Sequence, residues 1–216
     1  SEANFDVLEI QAGHGYLVSQ FLNGKINKRE DRFGQDRQFF VREVISAVRR
    51  SAAEMALILR ISADEMSPEY GLPREDLPSL LDFARDVGMS AIQMGMGSAC
   101  FSPPWYFHHM SLPGNPQIEA VSWIRQLCSL PIIAAGRLGR KDRAAQFIQE
   151  GLADLLALGR PIIADPQIVD KWQKGQDERV IKCGYCLQGC LHRVRSGEGL
   201  GCNLNPEIGQ PDLEPT

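Results

Sequence analysis

No stretch of the 216 residues is an uninterrupted apolar run of the ~20 residues that a membrane-crossing helix needs, so no membrane partner is expected. No secretory leader is visible in these residues. Basic excess is missing too. Lys and Arg number 23 against 27 Asp and Glu, a net charge of −4, which leaves no electrostatic footprint for nucleic acid. An initiator Met is also absent. The chain opens SEANFDVLEI and runs at once into a strand-like segment, so a fragment, a processed chain or a truncated one is expected. The last thing missing is an even spread of cysteine. Of six cysteines, four crowd the C-terminal end at Cys183, Cys186, Cys190 and Cys202, while Cys100 and Cys128 stand alone. A chain of this length buries a core without disulfide staples. A reduced, cytoplasmic setting is therefore expected.

Apolar residues at 44% and charged residues at 23% place the chain among globular proteins, and their periodicity orders it. FDVLEI (5–10) predicts a strand, and YLVSQFL then starts helically. DRQFFVREVISAVRR (36–50) predicts a helix with basic residues at its end, where they suit the dipole. MALILRIS (55–62) predicts a second strand, REDLPSLLDFARDVG (74–88) a helix ending in Gly, and SAIQM (90–94) a third strand. NPQIEAVSWIRQLC (115–128) predicts a helix with Asn115 as cap and Pro116 at its first position. PIIAA (131–135), KDRAAQFIQEG (141–151) and ADLLAL (153–158) read as strand, helix and strand, with a short helix near PQIVDKWQKG. Five βα units with continuously apolar strands indicate an α/β fold with a parallel sheet covered on both faces. A full (β/α)8 TIM barrel takes about 250 residues and eight units, so a barrel here would lack its first three.

The ends of the last two strands favour the barrel. IIAAGRLG and LLALGRP both finish in Gly-Arg, at Gly136-Arg137 and Gly159-Arg160. Glycine admits a phosphate to backbone N–H groups and arginine neutralises it. Barrels often build a phosphate site after their last two strands. Either pair alone also reads as a turn glycine with a surface arginine; the repetition points to a cofactor phosphate. Arg60, inside LILRIS, is costly to bury without a partner. It reads either as a salt bridge at the barrel rim or as a cofactor contact.

The cysteines are spaced C-x2-C-x3-C-x11-C. Three ligands on one tight loop and a fourth from a returning segment suit a [4Fe–4S] cluster. Gly184 and Gly189 are expected to relax that loop. Zinc is the rival, although an all-cysteine zinc site more often shows two separated C-x2-C knuckles; disulfides are a third reading. His192 is expected to be a solvated neighbour, since the four cysteines complete the set. A one-electron cluster beside a phosphate-bearing cofactor implies a flavin.

FDVLEIQAGHGYLVSQFLNGKINKREDRFG resembles the fourth strand and following loop of the old yellow enzyme family of FMN oxidoreductases. LRIS, PIIAAGRLG, EGLADLLALGRPIIADP and the cysteine motif with CNLNP extend the resemblance over nearly the whole chain. The cysteine spacing is similar to that of its iron–sulfur branch, of the 2,4-dienoyl-CoA reductase and trimethylamine dehydrogenase type. The resemblance implies barrel strands four to eight in residues 1–176 and a cluster-binding segment in 177–216. It implies that Arg60 contacts the flavin ring, that Gly136-Arg137 and Gly159-Arg160 hold the FMN phosphate, and that the four cysteines hold the cluster. In QAGHGYL, His14 and Tyr16 match the family's substrate-facing positions, and Gln11 stands where many members carry His. Tyr16 is then the expected proton donor to a reduced C=C bond and His14 the group that polarises a carbonyl. Tyr16 also reads as a packed rim aromatic and His14 as a satisfied rim histidine.

The chain departs from the reductases after its third strand, where Ser98, Ala99 and Cys100 stand in place of a histidine. The loop GSACFSPPWYFHHMSLPG that follows reads as a lid or as an exposed interaction loop. By the resemblance, NAD(P)H and FAD bind through a region absent from this chain, beyond IGQPDLEPT. Two functions are expected from these features. One is the C-terminal portion of an FMN- and [4Fe–4S]-dependent oxidoreductase for a small-molecule enoyl or enone substrate, its missing half supplied in cis or trans. The other is a non-catalytic, cluster-bearing half-barrel for electron transfer or assembly, with unpaired strand edges that favour a homo-oligomer.

Overall fold

Short aliphatic strands and amphipathic helices alternate along the computed structural model, which describes residues 4–209. Residues 1–3 and 210–216, the latter including most of the stretch before the expected NAD(P)H-binding region, lie outside the described residues. In chain order the elements are β1 (Val7–Gln11), α1 (Leu17–Leu22), α2 (Arg32–Gln35), α3 (Phe39–Ser51) and β2 (Ala56–Ser62). A 3-10 turn, Arg74–Asp76, then leads into α4 (Leu77–Asp86), β3 (Ala91–Gly95), α5 (Pro103–Tyr106) and α6 (Asn115–Leu127). β4 (Ile132–Ala135), α7 (Lys141–Gln149), β5 (Leu155–Ala157), α8 (Gly159–Ala164) and α9 (Ile168–Gln173) follow. The cysteine segment holds a π-helical turn, Gln188–His192, and the single turn α10 (Arg193–Arg195).

All five strands are parallel and pair in sequence order, β1-β2-β3-β4-β5. A doubly wound sheet reverses its strand order at a switch point; this one does not. Crossovers of one hand without reversal put every helix on the same side. The register shows it. Ile10, Leu59, Ile92 and Ile132 form one rung, all buried, and pack with Val41 and Ile45 of α3, Leu81 of α4, Ile124 of α6 and Phe147 of α7. The adjacent rung, Gln11, Arg60, Gln93, Ile133 and Leu155, faces the other way and is partly or wholly exposed. Helices therefore cover one face of the sheet, not both. The second face, which carries Gln11, Arg60 and Gln93 beside Ile58 and Ile133, is the interior of a barrel arc. The chain is five-eighths of a parallel (β/α)8 barrel, and among the described residues β1 and β5 are its open edges.

Local differences have local causes. The helix expected from residue 36 begins at Phe39, because the Asp36 carboxylate accepts from the Gln38 N–H and holds a turn there. Asn115 is the first helical residue rather than the cap; Gly114 precedes it with no side-chain cap bond. The short helices α2, α5, α8 and α10 carry too few residues to show a period.

One buried carboxylate ties the β1 and β2 loops together. Glu65, 2% exposed, accepts from the Gly15 N–H (3.0 Å), the Ser19 hydroxyl (2.6 Å) and the Leu72 N–H (2.9 Å). Glu65→Ala leaves three donors without their acceptor and is expected to cost about 3 kcal/mol, read from urea unfolding of the intact protein.

Candidate functional site

At the C-terminal ends of the strands lies a cleft of about 380 Å3, open to solvent at its mouth. His14, Arg60, Gly136, Arg137, Gly159 and Arg160, drawn from four different strand ends, all line it. Tyr16 does not.

The arginines are underused by the protein itself. Arg60 makes a loose ion pair with Glu9 (3.6 Å), yet its Nε is buried without a partner. The rim salt bridge and a free donor thus coexist. Arg160 opens α8, and its Nη1 is likewise buried and unpartnered. Burial pushes this guanidinium's pKa down, so its charged form is held at a cost that an anion would offset. Arg137 donates to the Leu112 carbonyl, and its guanidinium and that of Arg160 both lie over the Tyr185 ring, at 5.7 and 5.2 Å. Gly136 has φ +106°, and a Cβ there would overlap the His108 ring. Where a Cβ at Gly159 would stand there is only open space. That space and the unpartnered guanidinium beside it suit a phosphate-bearing cofactor.

His14 is 1% exposed and has φ +64°. Its Nδ1 lies 3.0 Å from the Gly97 carbonyl and 2.8 Å from Ser62 Oγ, whose hydroxyl also reaches that carbonyl at 3.0 Å. A carbonyl only accepts, so Nδ1 carries the proton and Nε2 keeps a lone pair, buried without a partner. Burial lowers the pKa to about 4, so the ring is neutral. In this tautomer Nε2 accepts a hydrogen bond; the expected donation to a carbonyl needs a second proton there.

Tyr16 is the N-cap of α1, 42% exposed, with its hydroxyl 3.0 Å from that of Tyr106. Tyr106, which sequence reasoning did not single out, lines the cleft. Burial, followed by the bond to Tyr16, raises its pKa to about 12. His108 also lines the cleft, and burial first, then the charge of Arg160, lowers its pKa to about 3. The long loop bearing both is partly packed down, with Phe101 and Met110 left exposed. Ser98, Ser102 and His108 are buried, and the Met110 N–H donates to the Tyr185 carbonyl at 3.1 Å.

The four clustered cysteines, all free thiols, line a second, small pocket. Arg160, Ile163 and Tyr185 line both cavities and form the wall between them. The left-handed turns of this loop fall at Tyr185 (φ +53°) and Leu187 (φ +64°), not at Gly184 or Gly189. Gly189 serves a different need. A Cβ there would lie 2.6 Å from the Asn203 nitrogen and 2.8 Å from Cys202 Cα, so only glycine lets the returning segment bring Cys202 this close. Burial pushes the Cys183 thiol up, a cost that metal coordination would reverse. Among the described residues no three His, Cys, Asp or Glu side chains converge on a single ion. Four thiols around a shared cavity fit a polynuclear cluster better than one tetrahedral zinc. His192 does not line the cavity.

The sequence profile of the NADH:flavin oxidoreductase / NADH oxidase family matches residues 1–179. The metal reductase of Desulforamulus reducens is 33% identical over 212 residues, covering 96% of this chain and 31% of that protein. The cinnamate reductase of Clostridium sporogenes is 30% identical over 235 residues, covering 97% and 34%. The structure of a 2-naphthoyl-CoA reductase complex superposes with a TM-score of 0.86 at 25% identity, over 96% of this chain and 32% of that one. Histamine dehydrogenase from Rhizobium sp. 4-9 gives 0.80 at 23% identity, over 96% and 30%, a likeness of fold. The chain spans about a third of the length of these relatives.

Proposed function

Because the chain belongs to the NADH:flavin oxidoreductase / NADH oxidase family, we propose that it carries part of an FMN site and a [4Fe–4S] site of an oxidoreductase acting on an activated C=C bond. The observation that carries this reading is the shared wall. Arg160, Ile163 and Tyr185 separate a cleft with unpartnered guanidinium donors from a cavity ringed by four thiols. Gly136-Arg137 and Gly159-Arg160 hold the FMN phosphate, Arg60 the flavin ring, and Cys183, Cys186, Cys190 and Cys202 the cluster. Bound FMN supplies hydride transfer and the cluster supplies single electrons. The chain's own residues do the rest. Arg60 and Arg160 supply fixed positive charge, the β3–α6 loop shields the cleft from water, and the Tyr16–Tyr106 pair holds the proton.

The enoyl or enone class is supported by two relatives whose names specify conjugated acids or their thioesters, cinnamate and 2-naphthoyl-CoA. NAD(P)H and FAD, on this reading, enter through a further region, and the remaining barrel strands pair with the edges β1 and β5, in cis or trans. Anaerobic purification of the intact protein, with a visible spectrum and iron, sulfide and flavin assays, tests it. Flavin with iron and sulfide in equal amounts is expected, and Cys190→Ala is expected to lose the iron and sulfide. Zinc alone overturns the redox reading. A cluster without flavin favours the electron-transfer module.

A further inference from the structure

Strand β4 ends in a turn whose two peptides face the same way. In an extended strand successive carbonyls point to opposite sides. Here the Ala135 and Gly136 carbonyls both accept from one group, the Gln117 Nε2 amide, each at 2.8 Å. Gly136, with φ +106°, makes the turn between them, a conformation that side chains resist. Gln117 stands on α6 and is 4% exposed. Its amide is held in turn by Arg143, whose Nη2 donates to Gln117 Oε1 at 3.1 Å and to the Gly114 carbonyl at 2.9 Å. A guanidinium only donates, so Oε1 faces Arg143 and both Nε2 protons are left for the two carbonyls. β4 is paired on both sides, with β3 and β5, so this brace does not lie on an open edge of the arc.

A trans peptide is planar and directs its N–H opposite to its C=O. The two peptides whose carbonyls meet Gln117 carry the N–H groups of Gly136 and Arg137. Gly136 and Arg137 line the cleft, and Gln117 does not. The two N–H groups are therefore turned from Gln117 toward the cleft. Among the described residues neither donates to a carbonyl or a side chain. Successive N–H groups on one side of a turn form a concavity that takes an anion. We propose that Gln117 is a positioning residue for the FMN phosphate. It pins two carbonyls behind the turn and so holds the Gly136 and Arg137 N–H donors toward the phosphate, without touching the flavin itself. The inference rests on the FMN reading above.

The test strips the intact protein of flavin and titrates it with FMN and with riboflavin, which lacks the phosphate, by quenching of flavin fluorescence. The parent protein is expected to bind FMN about 10²-fold more tightly than riboflavin. Gln117→Met keeps the length of the side chain and removes its donors. It is expected to weaken FMN binding by about tenfold and riboflavin binding by less than about twofold. An unchanged FMN affinity overturns the inference. Equal weakening of both flavins also overturns it, because a side chain that only packs acts on the whole site and not on the phosphate alone. A parent protein that binds the two flavins equally overturns the phosphate reading and this inference together. If Gln117→Met does not fold, Gln117→Asn, one methylene shorter, decides by the same comparison: a loss confined to FMN supports the positioning role, and an equal loss or none overturns it.

Discussion

Arg160→Ala in the intact protein is expected to weaken FMN binding by about 10²-fold. The reason lies in what Arg160 lacks. Its Nη1 is buried without a partner, and burial already disfavours its charged form. A guanidinium so placed is stabilised when a phosphate arrives, and charge-assisted bonds of this kind are worth about 3 kcal/mol, the same factor of about 10². Arg160→Lys keeps the charge but not the planar fork, and should recover only part of the affinity. Arg140 is the internal control. It is 68% exposed and paired with Asp142 at 2.9 Å, so Arg140→Ala should change FMN affinity by less than about threefold. Titration of the apoprotein with FMN, followed by quenching of flavin fluorescence, measures all three. An Arg160→Ala variant that binds FMN like the parent protein removes the phosphate from this end of the cleft. Because Arg160 also stacks on Tyr185 between the two cavities, its loss should disturb the cysteine loop as well.

Features repeated along the chain were legible in the sequence. Five apolar runs spaced by helical periods gave the strand count, and Gly136-Arg137 with Gly159-Arg160 marked a common end of the sheet. The cysteine spacing marked one cavity. Features set by tertiary direction were not legible. A strand such as Ala56–Ser62 reads as a mostly apolar run whether helices or a barrel interior cover its second face, so the one-sided cover had to come from strand order. Tyr16 stands in a recognisable motif, but the motif does not say which way the ring points. Tyr106 lies in a loop without period, and only the fold brings it between Tyr16 and His14. The glycines of the cysteine loop misled for a related reason. Gly189 is there for the close approach of Asn203, while non-glycine residues take the left-handed turns.

The intact apoprotein is expected to lose stability between pH 6.5 and 5, by about 2 kcal/mol per pH unit on average, because of two buried imidazoles. The folded-state pKa falls from 6.5 to about 4 for His14 and to about 3 for His108, burial being the larger cause for both. Well above pH 6.5 both rings are neutral folded or unfolded, and the stability they contribute is fully present. As pH falls below 6.5 the unfolded chain takes up protons that the fold refuses, and the slope rises toward about 1.4 kcal/mol per unit for each ring. The loss continues until His14 titrates in the fold near pH 4 and His108 near pH 3. By pH 4 the total is on the order of 6 kcal/mol, comparable with the whole stability of an ordinary domain. Urea unfolding at pH 6.5, 6.0, 5.5 and 5.0, where most carboxylates are still ionised, isolates the imidazoles. His14→Asn should halve the slope; an unchanged slope would mean that His14 is already protonated in the fold. FMN should act on one ring more than the other. Arg160, Arg137 and Arg143 all push the pKa of His108 down, whereas Arg60 is the only arginine among the causes acting on His14. A phosphate bound among the first three cancels part of their repulsion and raises the pKa of His108 toward its unfolded value. The holoprotein should then stop losing stability to His108 at a higher pH than the apoprotein, while the contribution of His14 stays closer to its apo value.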